Sequence, residues 1–363
     1  MIFIKKLILL MIGLLLLSGC GAKSTDTLKS FKDHNAKHTT YELNGTMKIV
    51  SNEDEFTYNV TVGVSDNKHY KVSLVNTINN HEQVILRNDD GVYVVTPELN
   101  KSFKFMSEWP NNSSQAYLLE SLVNDVNKDA SSTVKEEGGG YLITSKVDYP
   151  NNQKLHHETI ETDKDFNIKK VSVKTEEDKT EIEVNITKIN YKPKFSNDYF
   201  SLDNLVKEET TTDKKKDEKL DEECLASCTD TEANCKSTCK IEASSNILED
   251  IIYPLYVPTD TYLSGKDTVS TDNGNRIILT FAGVDPFILV EEASNMNDTL
   301  DIIPVNGEPL FLGSTIGAIS DNSIYWTSNG VDYYLTSKTL DASEMMTIAE
   351  SLENSSNLVA GLK

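Results

Sequence analysis

The strongest constraint on the fold is a period-two alternation of apolar and polar residues that runs from Tyr41 to about Leu205. Successive side chains of a strand point to opposite faces, so this pattern predicts antiparallel strands with one buried and one solvated face. A long meander cannot bury its apolar face alone and should curl around a helix into a half-barrel. The residues that share the predicted buried face include Phe56, Tyr58, Val60, Val62, Val64, Tyr70, Val72, Leu74, Ile182, Val184 and Ile186.

Turn and helix signals divide the same region. Asp90-Gly91 predicts a tight hairpin, and Leu99-Asn100-Lys101 a turn into a further strand. A helix is expected over Gln115–Val126, capped by Ser113 or Ser114. The three consecutive glycines Gly138-Gly139-Gly140 should interrupt regular structure before the next strands begin. These later strands are expected near Tyr141–Val147, Leu155–Thr162, Ile168–Thr175 and Thr180–Asn190.

A separate α+β unit is expected from residue 246 to 363. Its predicted strands lie near Asn275–Phe281, Phe287–Glu292 and Ser323–Ser337, the last folded at Asn329-Gly330. An amphipathic helix should begin at Asp341 or Ser343. The predicted fold class is therefore mainly β (α+β): an antiparallel half-barrel at 41–205 with covering helices, followed by a small C-terminal α+β domain.

The N-terminus has the features of an export signal. Lys5 and Lys6 precede eleven apolar residues, Leu7–Leu17, too few to span a bilayer, which needs about 20. Leu17-Ser18-Gly19-Cys20 resembles the lipobox of bacterial lipoproteins. The resemblance implies a signal peptide at 1–19 and a diacylglycerol-type lipid on Cys20 as the lipidation site. An ordinary secretory signal with an incidental Cys20 is the alternative.

The lipobox also implies a location. Residues 20–40 should form a lipid-anchored tether leading into a short helix, and the rest of the chain should lie at the extracytoplasmic face of the cell or spore membrane. The net charge of −22 argues against nucleic acid and against adhesion to an anionic membrane face. Residues 206–223 are rich in lysine and acids and predict a charged linker.

Four cysteines follow the linker in two CxxxC pairs within 224–240. They resemble the twin CxxxC helical hairpins of small exported and intermembrane proteins, although those have a longer spacer. The resemblance implies nested disulfides, Cys228–Cys235 inside and Cys224–Cys239 outside. Sequence alone leaves three pairings open. An oxidising compartment favours disulfides. A four-thiolate metal site and free or intermolecular thiols are the alternatives.

No motif nominates an active site. The chain lacks a GxSxG elbow, a P-loop, a GxGxxG loop and an HExxH pair. His34 and His38 can meet on a helix, whereas His156 and His157 are adjacent in a predicted strand and should point to opposite faces. No carboxylate stands in an apolar setting that would raise its pKa. We therefore expect a non-enzyme with no catalytic residues, no metal site and no cofactor besides the lipid.

The region 41–205 resembles a known superfamily. The stretches that carry the resemblance are Leu86–Pro97, Leu99–Phe105, Trp109-Pro110, Gln115–Leu122, Val147–Asn152, Pro193–Phe195 and Asp198–Phe200. In these stretches the region is similar to the lipoprotein-localisation proteins of the LolA/LolB type, and within them to the germination lipoproteins (GerS type) and sporulation lipoproteins of spore-forming Firmicutes. The C-terminal unit resembles a domain of unknown function, the DUF4367 type, at Ile324–Trp326, Gly330–Tyr334 and Glu344–Leu352. A short germination lipoprotein would end near Leu205, so the cysteine pairs and the second domain are a departure.

The superfamily resemblance implies binding. Its fold is an incomplete barrel whose concave apolar face holds acyl chains or a partner, and the germination lipoproteins support a cell-wall amidase that modifies cortex peptidoglycan. Such an amidase is the expected partner here, with a carrier or sensor of acyl chains or lipoproteins as the alternative. The expected binding residues are Val60, Val62, Val72 and Leu74, with Phe105 and Trp109 at the rim. These side chains could instead simply pack under the helix. A third possibility is a redox sensor built on the four cysteines.

Trp326 and Tyr333 flank the predicted hairpin of the second domain. They are expected to be cross-strand partners in its core.

Overall fold

A computed structural model of the chain describes residues 20–51, 54–205, 248, 250–271, 274–294 and 300–360, with side chains described from residue 24 to 352 of these ranges. Three α-helices lie within them: α1 (Cys20–Ala36), α2 (Leu119–Lys128) and α3 (Ala342–Ala360). The predicted C-terminal unit contains α3, whereas α1 occupies most of the segment where a tether and a short helix were expected. Among the described residues, no helix combines the length and apolarity needed to cross a bilayer.

Eleven strands occupy the region that alternates with period two. They are β1 (Tyr41–Ser51), β2 (Asp54–Ser65), β3 (His69–Asn76), β4 (Glu82–Asn88), β5 (Gly91–Thr96), β6 (Lys101–Phe105), β7 (Thr133–Glu137), β8 (Gly140–Lys146), β9 (His157–Thr162), β10 (Ile168–Lys174) and β11 (Thr180–Asn190). Their order in the sheet is β6-β5-β4-β3-β2-β1-β11-β10-β9-β8-β7, and every neighbouring pair is antiparallel. The sheet is open, which confirms the predicted antiparallel half-barrel.

The core lies between one face of this sheet and the first two helices. Phe31 of α1 and the apolar side of α2 belong to the same buried cluster as the inward residues of β1–β6 and β8–β11. The predicted alternation is visible in the burial of β3, where every second residue is buried. Burying such a face against helices is the main source of stability for a sheet of this kind.

Eight strands follow in the C-terminal part of the chain. They are β12 (Thr261–Thr271), β13 (Gly274–Gly283), β14 (Phe287–Ala293), β15 (Asp301–Val305), β16 (Glu308–Leu312), β17 (Thr315–Ser320), β18 (Ser323–Ser328) and β19 (Val331–Ser337). Seven of them form a second sheet in the order β12-β13-β14-β19-β18-β17-β16, with α3 packed on one face. The predicted small α+β unit is therefore present, with β12, β15, β16 and β17 in addition to the strands expected.

The C-terminal unit is not separate from the half-barrel. Strand β15 pairs in parallel with β6, which makes the first sheet twelve-stranded. Ile316 and Ala318 of β17 belong to the core cluster of the half-barrel. The two parts thus share a sheet and a core. No local sequence pattern predicts this joining.

The segment after β11 returns across the outer face of the half-barrel. Leu205 packs against Val84, Leu86 and Val95, and the carbonyl of Phe200 accepts a hydrogen bond from Asn88 at 3.1 Å. A Cβ at Gly63 would lie 2.7 Å from Cε1 of Tyr199, so glycine leaves the room that this aromatic ring needs.

Candidate functional site

The expected binding face is occupied by the chain itself. Val60 and Val62 of β2 lie opposite Leu74 and Val72 of β3, and all four side chains are buried. They belong to the cluster that contains Phe31 and the apolar residues of α2. Their assignment as ligand-binding residues remains a prediction.

Trp109 lies in the loop after β6, as expected for a rim residue. It is only 2% exposed and makes an edge-to-face contact with Tyr70, with ring centroids 5.8 Å apart. The guanidinium of Arg87 donates hydrogen bonds to the backbone carbonyls of Glu108, at 3.2 Å, and of Trp109. Phe105, the second rim candidate, is buried at the end of β6. Both aromatic rings therefore pack within the rim of the half-barrel.

A cavity of about 310 Å³ lies where the C-terminal unit covers the concave side of the half-barrel. Ile49, Ile85 and Trp109 belong to its half-barrel wall, whereas Phe311 and Met346 come from β16 and α3. Polar side chains complete the lining: Ser51, Ser113, Gln115, Asn151, Asn152, Lys154, Lys179, Glu181 and Glu350. This mixed cavity is the candidate functional site.

The cavity lining includes three groups whose pKa is raised: the phenols of Tyr117 and Tyr149 and the carboxyl of Glu350. Burial raises the pKa of this carboxyl above its usual value, although a hydrogen bond from Ser51 and the charge of Lys154 lower it. The nearby charge of Glu181 acts in the same direction as burial. Glu350 is therefore more easily protonated than an exposed glutamate and can both accept and donate a hydrogen bond.

Polar contacts hold the C-terminal unit over the cavity. The hydroxyl of Tyr58 donates to the carbonyl of Gly313 at 2.7 Å. The side chain of Gln83 accepts from the amide of Ile316 at 2.6 Å and donates to the carbonyl of the same residue at 3.3 Å. The ammonium of Lys101 is paired with the carboxylate of Asp332. These contacts join strands β2, β4 and β6 to the second sheet.

Two buried carboxyl groups lie elsewhere in the half-barrel core. Burial raises the pKa of Asp125 on α2 from 3.8 to about 6, and a hydrogen bond from Ser114 lowers it in part. Burial also raises the pKa of Glu158 on β9 well above its usual value, and repulsion from Asp125 adds to this. The expectation that no carboxylate stands in an apolar setting is therefore wrong. Asp125, whose charge acts on Glu158, lies on helix α2 in another part of the chain, so no local sequence pattern predicted this burial.

Of the two predictions about histidine pairs, one is confirmed and one is wrong. His34 and His38 meet on α1, as predicted, with ring centroids 5.3 Å apart, and the ring of His38 stacks on Tyr191. His156 and His157 do not point to opposite faces: their Nδ1 atoms are 3.4 Å apart. That prediction is wrong because His156 precedes β9, where the strand alternation does not apply. In the described part of the chain, no three His, Cys, Asp or Glu side chains come together as metal ligands.

The predicted helix cap is also wrong. Helix α2 begins at Leu119, and its first amide donates a 3.0 Å hydrogen bond to the hydroxyl of Tyr41. Ser114 instead accepts a hydrogen bond from the amide of Asp148 at 2.8 Å, and Ser113 accepts one from the side chain of Gln115, also at 2.8 Å. A distant tyrosine therefore does what a local serine was expected to do.

The predicted cysteine chemistry lies outside the described residues. This applies to the side chain of Cys20, to the signal peptide and to Cys224, Cys228, Cys235 and Cys239. Lipidation and disulfide formation therefore remain predictions.

One curated relative spans almost the whole chain. The sporulation protein YdcC of Bacillus subtilis (strain 168) is 35% identical over 358 residues, which cover 97% of this chain and 98% of the relative. The chain belongs to the YdcC family of sporulation proteins. No family model matches this YdcC-family chain. The DUF4367 resemblance of its C-terminal unit therefore remains a prediction.

Solved structures also overlap with this YdcC-family chain. The MucA/MucB complex of Pseudomonas aeruginosa shares 10% identity, covering 89% of this chain and 98% of that one, at a TM-score of 0.30. The CwlD amidase of Clostridioides difficile in complex with the GerS lipoprotein gives 15% identity, 46% and 95% coverage and a TM-score of 0.28. A LolA superfamily protein of Nitrosomonas europaea gives 9% identity, 50% and 98% coverage and a TM-score of 0.28. Scores this low establish no shared partner or ligand.

Proposed function

We propose that this YdcC-family chain is a non-enzymatic lipoprotein of sporulation or germination that binds and supports a cell-wall amidase acting on cortex peptidoglycan. The lipid on Cys20 would hold it at the extracytoplasmic face of the membrane. The similarity over almost the whole chain to a sporulation protein supports a role in sporulation or germination. The resemblance of residues 86–105 to germination lipoproteins supports the amidase as partner.

The filled concave face is the observation that favours a protein partner over an acyl ligand. Val60, Val62, Val72 and Leu74 are buried against the helices of the same chain. The cavity that remains, about 310 Å³, is at the lower end of the range of about 300–1,000 Å³ for small-molecule pockets. Its mixed lining, which includes Lys154, Lys179, Glu181 and Glu350, does not suit the two or three acyl chains of a lipoprotein. A large partner would therefore bind the outside of the half-barrel.

The rim near Trp109 offers one exposed apolar side chain. Met106 directly follows β6 and is 84% exposed. Ile78 is 79% exposed in the turn between β3 and β4, at the opposite end of these strands. Met106 can be changed without disturbing the buried ring of Trp109, and Ile78 provides a matched control.

The proposal is tested with the full chain and the purified cortex amidase of the sporulating host. We expect a stable complex by biolayer interferometry, weakened about tenfold by Met106→Glu and unchanged by Ile78→Glu, because a charge in an interface core is costly. Lipid extracts of the protein are analysed in parallel by mass spectrometry. Stoichiometric acyl lipid without any amidase binding would make the protein a lipid carrier and exclude the proposal.

A further inference from the structure

The four edges of the two sheets are protected to different degrees. Natural sheets blunt their edges with short strands, charges or proline, because an open edge invites pairing with another chain. Three of the edge strands follow this rule with five residues each: β15 contains Pro304, β16 contains Pro309, and β7 carries Lys135 with two glutamates. The fourth edge strand, β12, also carries two charges, Lys266 and Asp267, but differs from the other three in its length.

Strand β12 is long and open. It has eleven residues without proline, and among the described residues it pairs with β13 alone. Nearly all its side chains are exposed, including the apolar Tyr262 at 63% and Val269 at 45%. A bulge between Leu263 and Gly265 interrupts the register, after which seven residues pair regularly. Within the described part of the chain, the side of β12 that faces away from β13 therefore has backbone groups without strand partners.

The sheet face beside this edge combines apolar side chains with the charged groups of Asp267, Arg276 and Glu292. Tyr262 lies opposite Ala282 and Val269 opposite Arg276, on the face away from α3. Directly opposed residues share a face. The same face continues inward through Ile278, Val290 and Tyr334, which lie in one row across three strands. An added strand would place alternate side chains beside this surface.

Charge indicates the chemistry of the partner. Residues 246–363 contain seventeen acidic and four basic side chains, and the whole chain has a net charge of −22. At the edge itself, the two basic groups are outnumbered by four acidic ones, and a second copy of the chain would bring the same excess of negative charge; these groups are Lys266, Arg276, Asp260, Asp267, Asp285 and Glu292. A basic segment would instead be attracted to this edge.

We propose that β12 is a docking edge for an extended, net-basic segment of a partner protein, which adds to the second sheet as an eighth strand through backbone hydrogen bonds. Apolar residues at alternate positions of that segment would contact Tyr262 and Val269. Peptides bind other open sheet edges in this way. The site lies outside the cavity, and the proposal does not depend on the amidase.

The test uses three synthetic peptides of eleven residues with the full chain. The first alternates lysine and valine, the second is the same peptide N-methylated at every residue, and the third alternates glutamate and valine. We expect only the first to bind by fluorescence anisotropy and to slow hydrogen exchange of amides within Thr261–Thr271 by about tenfold or more. N-methylation removes the backbone donors and leaves the charge unchanged.

Two matched variants locate the binding site. Val269→Lys should weaken binding of the lysine–valine peptide about tenfold, because it removes an apolar contact and adds a like charge. Ile302→Lys makes the same charge change at an equally exposed residue of β15, 43% exposed, and should leave binding nearly unchanged. Equal binding of the N-methylated peptide, or protection confined to other strands, would overturn the proposal. So would protection of β12 in a dimer of the free protein, because a second copy would then occupy the edge.

Discussion

At the scale of single residues, burial changes the chemistry of several carboxyl groups. Glu350 reaches the cavity from α3, whereas Glu291 is fully buried in β14. Glu291 accepts a 3.1 Å hydrogen bond from the amide of Ile252, and burial raises its pKa from 4.5 to about 7. The group thus binds a proton more tightly in the folded chain than in the unfolded chain.

This shift predicts a dependence of stability on pH. A raised carboxyl pKa favours the folded state while the group is protonated, so stability should fall as pH rises from about 4.5 through about 7. Glu291→Gln keeps an acceptor for Ile252 and cannot ionise. It should be more stable than the parent by about 3 kcal/mol at pH 8, with a smaller difference at pH 4.

Urea denaturation at both pH values measures the effect. Glu292→Gln changes the neighbouring residue, whose side chain is partly exposed and paired with Arg276, and serves as the control. A gain for Glu291→Gln that does not depend on pH would contradict the interpretation.

At the scale of elements, helix α2 depends on a side chain from β1. The hydroxyl of Tyr41 accepts from the first amide of the helix and donates to the carboxylate of Glu120 at 3.2 Å. Helix ends leave amides without partners inside the helix, and local Ser, Thr, Asn or Asp residues usually supply an acceptor. Here the buried tyrosine ties the helix directly to the sheet.

Removal of this hydroxyl should weaken the helix terminus. Tyr41→Phe leaves the amide of Leu119 and the carboxylate of Glu120 with fewer partners in a buried setting, which costs about 1–3 kcal/mol. The loss is measured by urea denaturation, and hydrogen exchange should accelerate at Leu119. Tyr262→Phe removes the same hydroxyl from an exposed site and should change stability by less than about 0.5 kcal/mol. Unchanged exchange at Leu119 in Tyr41→Phe would show that the hydroxyl does not cap the helix.

At the scale of the whole molecule, the C-terminal unit is a cover for the half-barrel. Strand β15 extends the first sheet, and Ile316 and Ala318 enter its core. The pair between Lys101 and Asp332 lies within this interface, with side chains 5% and 16% exposed. The hydroxyl of Thr327 also donates to Asp332 at 2.6 Å. The pair therefore links the two sheets in a largely buried setting.

Breaking this pair should loosen the cover. Asp332→Asn leaves the ammonium of Lys101 without its counter-charge, which should cost about 3 kcal/mol. Calorimetry should then resolve separate unfolding transitions for the two parts. The exposed pair of Arg276 and Glu292 is the matched control, and Glu292→Gln should cost less than about 1 kcal/mol. A single cooperative transition in Asp332→Asn with unchanged stability would contradict this role.

The sequence by itself determined the elements with local signals. Period-two alternation predicted β2, β3 and β11, and Asn329-Gly330 predicted the β18–β19 hairpin, where both residues have positive φ. Trp326 and Tyr333 are stacked in the core as expected, with ring centroids 4.9 Å apart. These features depend on neighbours in the chain or across one turn, so pattern and turn chemistry suffice to find them.

Only the tertiary structure decided what joins distant segments. The tertiary structure placed β15 beside β6, Tyr41 at the start of α2 and Glu158 in the buried core. It also covered the face of Val60 and Val72 with the chain's own helices and, among the described strands, paired β12 on one side only. Burial and pairing across hundreds of residues depend on which surfaces meet, because the energies of these contacts are non-local. The sequence pattern predicts that one face of a strand is apolar. It does not predict which element of the chain, or which partner, covers that face.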